Sequence, residues 1–355
     1  MLSRQALRAM RPTTVGGLRP FSATPTVLSN SKKTPSLADI KPNTVDSFNA
    51  KQKLFREQLA EQKRQQEASA LSSILSSSPS PDSNSSHTET EAAQLARAEA
   101  AAHEPPRKVG PLTNLIYGTK EGRELDAQLE ASFSQVLARG KYVHSITFDQ
   151  VKPECVDEYV ALVGEWYPKW AGDRENKVHL VGSWRGEVGD VDTFVHIWEY
   201  QRYTGLHSSL SSLSSHPSYP QFSKKLAPLL HKRHTSLMQE FSFWPTTPPR
   251  QLGGIFELRS YTLHPGNLLE WETHWRRGLK ARREVMEGVG AWFVQIGELN
   301  TVHHLWQFAD LEERRRQREE SWAIKGWAET VHKTVPLIQT MKSRILVPMS
   351  WSPVA

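Results

Sequence analysis

From Lys141 to the C-terminus the apolar positions recur first every second residue and then every three to four, as strands and amphipathic helices do in turn. The final stretch predicts a strand over 255–262 and a helix over 266–283 with Leu268, Trp271, Trp275 and Leu279 on one face. Strands over 291–297 and 302–308, helical residues 310–333 and a closing strand over 342–349 follow. The preceding stretch reads the same way, with strands over 142–149, 177–184, 193–200 and 236–244 and helices near 154–170 and 203–232. The two stretches are copies. "YVHSITFDQVKPECVDEY" aligns with "GIFELRSYTLHPGNLLEW" at an offset of 112, and "FVHIWEY" with "VHHLWQF" at 108, so that His196 matches His304 and Trp198 matches Trp306. "APLL" from Ala227 matches "VPLI" from Val335, again at 108, and the difference falls in a longer loop, "WRGEVGDVD" against "GELN".

Strand, helix, two strands, helix, strand is the order of the ferredoxin-like unit. One such unit covers a single face of its sheet and leaves the other bare, whereas two in tandem bury both by packing bare face to bare face. The expected fold is therefore α+β: two tandem ferredoxin-like βαββαβ repeats, 141–250 and 251–355, packed as a dimeric α+β barrel within one chain. Upstream, Leu125, Leu129, Phe133, Val136 and Leu137 share a face and Gly140 supplies a stop, which predicts a lead-in helix within 111–140. That face docks on the repeats or pairs two copies of the chain. Residues 22–110 read as a largely disordered, partly helical linker. "FNAKQKLFREQLAEQKRQQEASA" suits a solvated helix, "ASALSSILSSSPSPDSNSS" holds ten serines in nineteen residues, and nothing before about Lys108 demands a core. All twelve tryptophans lie at or after Trp166, which concentrates the folded mass in the repeats.

The formal net charge of +6 suggests a nucleic-acid binder until it is located. The first 38 residues hold Arg4, Arg8, Arg11, Arg19, Lys32 and Lys33 and no acid, leaving 38 basic against 38 acidic residues in the rest. Nucleic acid is therefore not an expected partner. "MLSRQALRAMRPTTVGGLRPFSAT" is Arg-bearing, acid-free and hydroxyl-containing, the composition of a mitochondrial transit peptide over 1–21. "RPFS" resembles the Arg-x-Phe-Ser pattern of matrix processing and places a mature start near Ser22. No run approaches the ~18–20 apolar residues that span a bilayer, so no transmembrane segment is expected. The single cysteine, Cys155, leaves no intramolecular disulfide and no multi-cysteine zinc site.

"EFSFW", "FELRSYTLHPG", "QIGELNTVHHLWQFADLEERR", "GWAETVHKTVPLI" and "KSRILVP" closely resemble the NIPSNAP family, over roughly Tyr142 to the C-terminus, with residues 251–355 as the NIPSNAP domain. Residues 111–140 resemble the lead-in helix of fungal-type members. The resemblance implies a mitochondrial protein built of dimeric α+β-barrel modules, with protein partners drawn from autophagy or mitochondrial quality control. It implies no catalytic residues, cofactor or metal.

Strand alternation assigns faces. With Phe256 and Leu258 toward the helices, Glu257, Arg259 and Tyr261 point into the barrel; with Val195 and Ile197 toward the helices, so do His196 and Trp198. By the repeat, His304 and Trp306 join them, while His303 and Leu305 face the helices. These seven interior residues are either a satisfied polar lock, with Glu257 paired to Arg259, or a pocket for a small anionic or aromatic ligand anchored by Arg259. His303 and His304 lie on opposite faces and cannot chelate one ion, and Glu270 and His274 have no third ligand. In "EERRRQREE" the pairs Glu312/Arg316, Arg315/Glu319 and Arg316/Glu320 predict a solvated helix face. "HKRH" and "KSRIL" add basic surface of a kind that touches anionic lipid, and Trp322 and Trp327 mark either core or a partner surface. The functional expectation is a mitochondrial, matrix-directed protein acting through protein contacts, as monomer or homo-oligomer. The alternative is a small-molecule-binding or cofactor-independent enzymatic barrel using Arg259, Glu257, Tyr261 and His304.

Overall fold

The computed structural model describes residues 34–41, 44–76, 142–173, 176, 178–244 and 249–355. The basic segment 1–21, the lead-in helix expected within 111–140 and most of the serine-rich stretch lie outside the described residues. A long helix, α1 (Val45–Ser76), comes first. The first repeat runs β1 (Val143–Val151), α2 (Val156–Gly172), β2 (Val178–Val188), β3 (Thr193–Tyr200), α3 (Arg202–Ser215), α4 (Tyr219–Leu226) and β4 (Leu230–Glu240). The second runs β5 (Ile255–Leu263), α5 (Leu268–Val285), β6 (Glu287–Ile296), β7 (Thr301–Phe308), α6 (Leu311–Ala323), α7 (Trp327–Thr334) and β8 (Ile338–Pro348).

Each repeat forms a four-stranded antiparallel sheet, and the two sheets continue into one another. The ring reads β1-β3-β2-β8-β5-β7-β6-β4 and closes on β1. Two ladders join the halves: β2 with β8, from Trp184 opposite Pro348 to Val188 opposite Ile345, and β4 with β6, from Leu237 opposite Ile296 to Glu240 opposite Trp292. Closure removes every strand edge that an isolated repeat would expose.

The interior is a single apolar cluster drawn from all eight strands, including Ile146, Trp184, Val195, Ile197, Met238, Phe256, Leu258, Trp292, Leu305 and Leu346. No helix contributes to it. The helices form two outer layers: Tyr159, Val163 and Tyr167 of α2 pack on Phe194 and Trp198, and Trp271, Trp275 and Leu279 of α5 pack on Val302, Trp306 and Phe308. Two tryptophans fill the interior in equivalent places. Trp184 and Trp292 are 0% and 1% exposed, and each indole lies over the glycine two residues before it. A Cβ on Gly182 would stand 2.3 Å from the Trp184 ring, and one on Gly290 2.0 Å from the Trp292 ring. Both glycines sit where the ladder shifts register, which bends the strand as a closing barrel requires.

Three features differ from the sequence reading. β4 begins at Leu230, within residues 203–232 that the sequence reads as helix, and β8 begins at Ile338. Their first halves project beyond the sheet centre with polar side chains, so no apolar alternation marks them. The last helix of each repeat is two helices, and in the second the break is at Gly326, whose φ of 94° suits only a residue without a Cβ. Finally, the segment before Lys108 does have a core contact. Residues Val45, Phe48 and Phe55 of α1 recur at helical spacing and pack with Leu252 and Ala309, Phe48 being 2% exposed. Beside them Gln52 and Arg56 donate to Glu287 Oε2 at 2.9 and 2.7 Å, and the buried Arg250 pairs with the same carboxylate.

The chain end returns to the first repeat. Met349 N donates to Ser183 O at 2.9 Å, and Trp351 lies against α2 at Gly164, where a Cβ would stand 2.8 Å from the indole. Trp292→Ala should cost ~3–5 kcal/mol of unfolding free energy. Gly290→Ala, which overpacks the same place, should cost ~1–3 kcal/mol. Urea denaturation followed by far-UV circular dichroism measures both, and a Gly290→Ala protein as stable as the parent would contradict this packing.

Candidate functional site

The structure places the seven predicted residues on the face opposite to the one expected. Glu257, Arg259, Tyr261, His196, Trp198, His304 and Trp306 lie between sheet and helices, while Val195, Ile197, Phe256, Leu258 and Leu305 fill the barrel. His303 points into the barrel, where its Nδ1 is 2.9 Å from Ser260 Oγ. The reason is volume and partnership. The middle of a closed eight-stranded barrel has room only for space-filling side chains and no helix to supply counter-charge. A buried carboxylate needs donors within reach, and the helices bring them. The seven therefore form two separate groups, one under each helical layer.

In the first group β3 carries His196, fully buried, and Tyr159 of α2 stands over it. Tyr159 donates to Asp149 Oδ2 at 2.7 Å, and its oxygen is 2.8 Å from His196 Nε2. A phenol has one proton. Since Asp149 takes it, His196 Nε2 must carry hydrogen and donate to Tyr159, leaving Nδ1 to accept from Ser183 Oγ at 2.9 Å. One tautomer satisfies every atom. Arg233 of β4 closes the chain with two donors to Asp149, both at 2.6 Å. Burial pulls the His196 pKa down to about 4, against the opposing pull of Asp149, and burial followed by Asp149 pushes Tyr159 well above the usual phenol range.

The second group has the same frame and different chemistry. His304 replaces hydrogen bonds with stacking: its ring lies parallel to Trp275 at 4.0 Å and near-parallel to Trp271 at 5.3 Å, with Tyr261 edge-on at 5.4 Å. Its Nε2 is buried without a hydrogen-bond partner, and burial, then Arg259, holds its pKa well below the ordinary value. Nearby Glu257, 0% exposed, accepts from Arg259 Nη1 at 2.9 Å, from Arg314 Nη2 and Nε at 2.7 and 3.0 Å, and from Ser343 Oγ at 2.7 Å. These donors outweigh burial and bring the Glu257 pKa down to about 2. Arg259 also donates to Tyr261 Oη, and Arg318 stands 3.9 Å from Glu257. The expected Glu257–Arg259 pair is present, but neither histidine joins it.

Asp149, Tyr159, Ser183, Arg233, Arg314 and Ser343 were not singled out from sequence. Asp149 is the repeat equivalent of Tyr261 at the offset of 112, so the duplication carried a signal for it. Arg314 was hidden in the arginine run. Of that run, Arg315 and Arg316 pair with Glu319 and Glu320 at 2.6 and 2.5 Å as expected. Glu312 bonds Arg315 and not Arg316, which instead bonds Glu313. Glu270 and His274 are 3.9 Å apart on α5, and among the described residues no three His, Cys, Asp or Glu are grouped to hold a metal ion. Among them, too, no helix is long and apolar enough to cross a membrane.

The family model described as NIPSNAP matches residues 150–245 and again 256–353. The chain belongs to the NIPSNAP family. Both repeats are thus family domains, where the sequence reading gave the name only to 251–355. Protein NipSnap homolog 1 of Danio rerio is 42% identical over 212 residues, 59% of this chain and 76% of that one. Protein NipSnap homolog 2 of Homo sapiens is 39% identical over 234 residues, 65% of this chain and 82% of that one. Among solved structures, a NIPSNAP-like domain protein from Burkholderia xenovorans is 41% identical, covering 28% of this chain and 88% of that one with a TM-score of 0.27.

Acid should unfold this NIPSNAP chain in two stages. His196 and His303 bind a proton less readily folded, with pKa values of about 4 and about 3, than at their ordinary 6.5. Their stabilising contribution is complete above pH 6.5 and is lost as pH falls toward those folded values; the Glu257 contribution is present above 4.5 and is lost toward about 2. At ~1.4 kcal/mol per pH decade, His196 alone withdraws about 3 kcal/mol in the upper window. Urea melts at pH 7.5, 6 and 5 should show falling stability, and His196→Gln should be weaker at pH 7.5 but less pH-dependent. A parent protein equally stable at all three pH values would refute the buried neutral histidines.

Proposed function

We propose that this chain is a mitochondrial protein of the matrix that acts through protein contacts in organelle homeostasis and quality control. The observation that carries the non-catalytic reading is the state of the Glu257 carboxylate, which Arg259, Arg314 and Ser343 occupy in the interior of the protein. Three of its four donors fall on Oε1 and one on Oε2, and a carboxylate they hold at a pKa of about 2 is too weak a base to take a substrate proton. His304 is stacked on Trp275 with Trp271 alongside, and His196 has both ring nitrogens engaged. Groups so placed hold helices on a sheet. The acid-free, Arg-bearing N-terminus supports the location. A contact surface is available on α6, where Trp322 is 54% and Leu311 41% exposed, whereas Trp327 is buried under the Arg282 guanidinium at 4.0 Å. An exposed tryptophan beside a rigid helix pair is the kind of anchor that protein interfaces use.

The alternative, a ligand-binding or enzymatic barrel using Arg259, Glu257, Tyr261 and His304, has one observation in its favour. Arg282, Arg314 and Arg318 gather near Arg259 around a single carboxylate, and burial together with Arg318 and Arg259 lowers the Arg282 pKa to about 9. A cationic surplus of this kind favours an anion. Ligand retention by the purified chain that disappears in both Arg259→Ala and His304→Ala, with melting unchanged, would establish that alternative.

A reporter fused to residues 1–40 is expected in the mitochondrial matrix, and cytosolic retention would overturn the location. For contact, Trp322→Asp should remove a reproducible set of cross-links formed in intact mitochondria while leaving the unfolding midpoint within ~2 °C, since the side chain is exposed. Identical cross-link patterns in the two proteins would rule out the α6 surface.

A further inference from the structure

One mouth of the barrel opens into a cavity of about 730 Å³. It lies where β1 and β5 end, where β3, β4, β7 and β8 begin, and beside the tips of the β2–β3 and β6–β7 hairpins. The interior-facing positions that are apolar at mid-barrel turn polar here. On β4 they are Lys232 and His234, and on β8 they are Lys342 and Arg344. Three strands separate β4 from β8 on either side of the ring of eight, so the two basic pairs face each other across the opening. Between them the wall carries hydroxyls, Ser260 and Thr262 from β5 and the repeat equivalents Thr193 and Thr301 from β3 and β7. Phe148 and His303 line the cavity beside the apolar interior, their rings 6.2 Å apart.

The charges are incompletely matched. Arg344, 7% exposed, donates from Nε and Nη2 to Asp190 Oδ2 at 2.7 and 2.6 Å, and from Nη1 to Ser260 Oγ at 3.3 Å. Asp190 sits on the β2–β3 hairpin with half its side chain exposed. His234 is 3.7 Å from Glu298 of the opposite hairpin, and its Nε2 is 3.1 Å from Ser236 Oγ. Among the described residues neither Lys232 nor Lys342 has a carboxylate within ion-pairing distance. Two lysines thus face one concavity from opposite walls, where their fields add. The volume is that of a small-molecule pocket and the lining is donor-rich.

We propose that this mouth binds a small polyanion with two anionic groups, phosphate or carboxylate, one held by Lys342 with Arg344 and the other by Lys232 with His234. The threonine and serine hydroxyls donate to the body between them. Asp190 and Glu298, on hairpin tips, neutralise Arg344 and His234 in the empty state and swing aside when the ligand's own anions take their place. The two basic motifs, "HKRH" and "KSRIL", are therefore pocket walls. Concavity favours a small molecule over a bilayer surface, because the ammonium groups are presented inward across a gap. This site uses the barrel interior, on the other face of the sheet from Glu257 and Arg259, and it holds wherever in the cell the chain acts.

The test is calorimetric titration of the purified full chain with pyrophosphate, citrate and inorganic phosphate at fixed ionic strength, beside sedimentation with phosphatidylcholine vesicles containing phosphatidylserine. Pyrophosphate or citrate is expected to bind at least tenfold more tightly than inorganic phosphate. The Lys232→Gln/Lys342→Gln double variant should weaken that binding at least tenfold with an unchanged unfolding midpoint, because both lysines are exposed. A Lys224→Gln/Lys225→Gln variant, altered on α4 outside the mouth, should bind as the parent does. Equal affinity in the Lys232/Lys342 variant, equal loss in the α4 variant, no binding of any of the three anions, or lysine-dependent binding of vesicles alone would each overturn the proposal.

Discussion

Everything in this molecule depends on the mutual burial of two sheet faces. A single repeat shields one side of its four strands with helices and leaves the other side, rich in Val, Ile, Leu, Phe and Trp, against water. At ~1.5–3 kcal/mol for each large apolar side chain, the five or six large residues each repeat buries on that face cannot be left exposed. Duplication within one chain provides the second face at high effective concentration, and the β2–β8 and β4–β6 ladders then remove the remaining edges. The glycines beneath Trp184 and Trp292 belong to the same constraint. Each clears space for an indole buried in the barrel, and each does so at a bulge that tightens the curve.

Closure also decides where polarity can go. Mid-barrel positions are surrounded by other strands only, so no helix can offer them a counter-charge, and they are apolar. Polar residues survive under the helices, where arginines and a tyrosine reach them, at the mouth, where water does, and toward the other end of the barrel, where buried His144 and Glu199 satisfy each other at 3.1 Å. The two helix-side groups show how equivalent positions diverge. At one, His196 is held by a chain of hydrogen bonds from Ser183 to Tyr159, Asp149 and Arg233. At the other the tyrosine is Trp271, the aspartate is Tyr261, and His304 is held by stacking. The imidazole has the same position and burial in both, and its protonation is suppressed in both for the same reason, loss of hydration.

The order of elements was legible because periodicity and duplication reinforce each other: a boundary blurred in one copy is visible in the other. Two kinds of feature were not. "HKRHTSL" has no apolar alternation, so the first half of β4 read as the end of a helix, although it pairs with β1 from Leu230, with one shift of register at His231. In α1 the three apolar residues that dock, Val45, Phe48 and Phe55, are set among Gln, Lys, Arg and Glu, too sparse a stripe to announce a docking face, yet a small patch around Leu252 and Ala309 suffices when Glu287 gathers Gln52, Arg56 and Arg250 beside it.

The amino-acid sequence by itself determined the family, the two βαββαβ units and the alternation that puts His304 and Trp306 on one side of β7 and His303 and Leu305 on the other. It could not say which side is inside. A strand buried on both faces is apolar on both, and its polar residues carry no label for the partner that satisfies them. That partner for Glu257 is Arg314, more than fifty residues away on α6, and for the mouth lysines it is the open space between opposite walls. Only the closed ring, which fixes what stands across from each side chain, assigns one face to packing, one to paired charge, and the rim between them to solvent and whatever it carries.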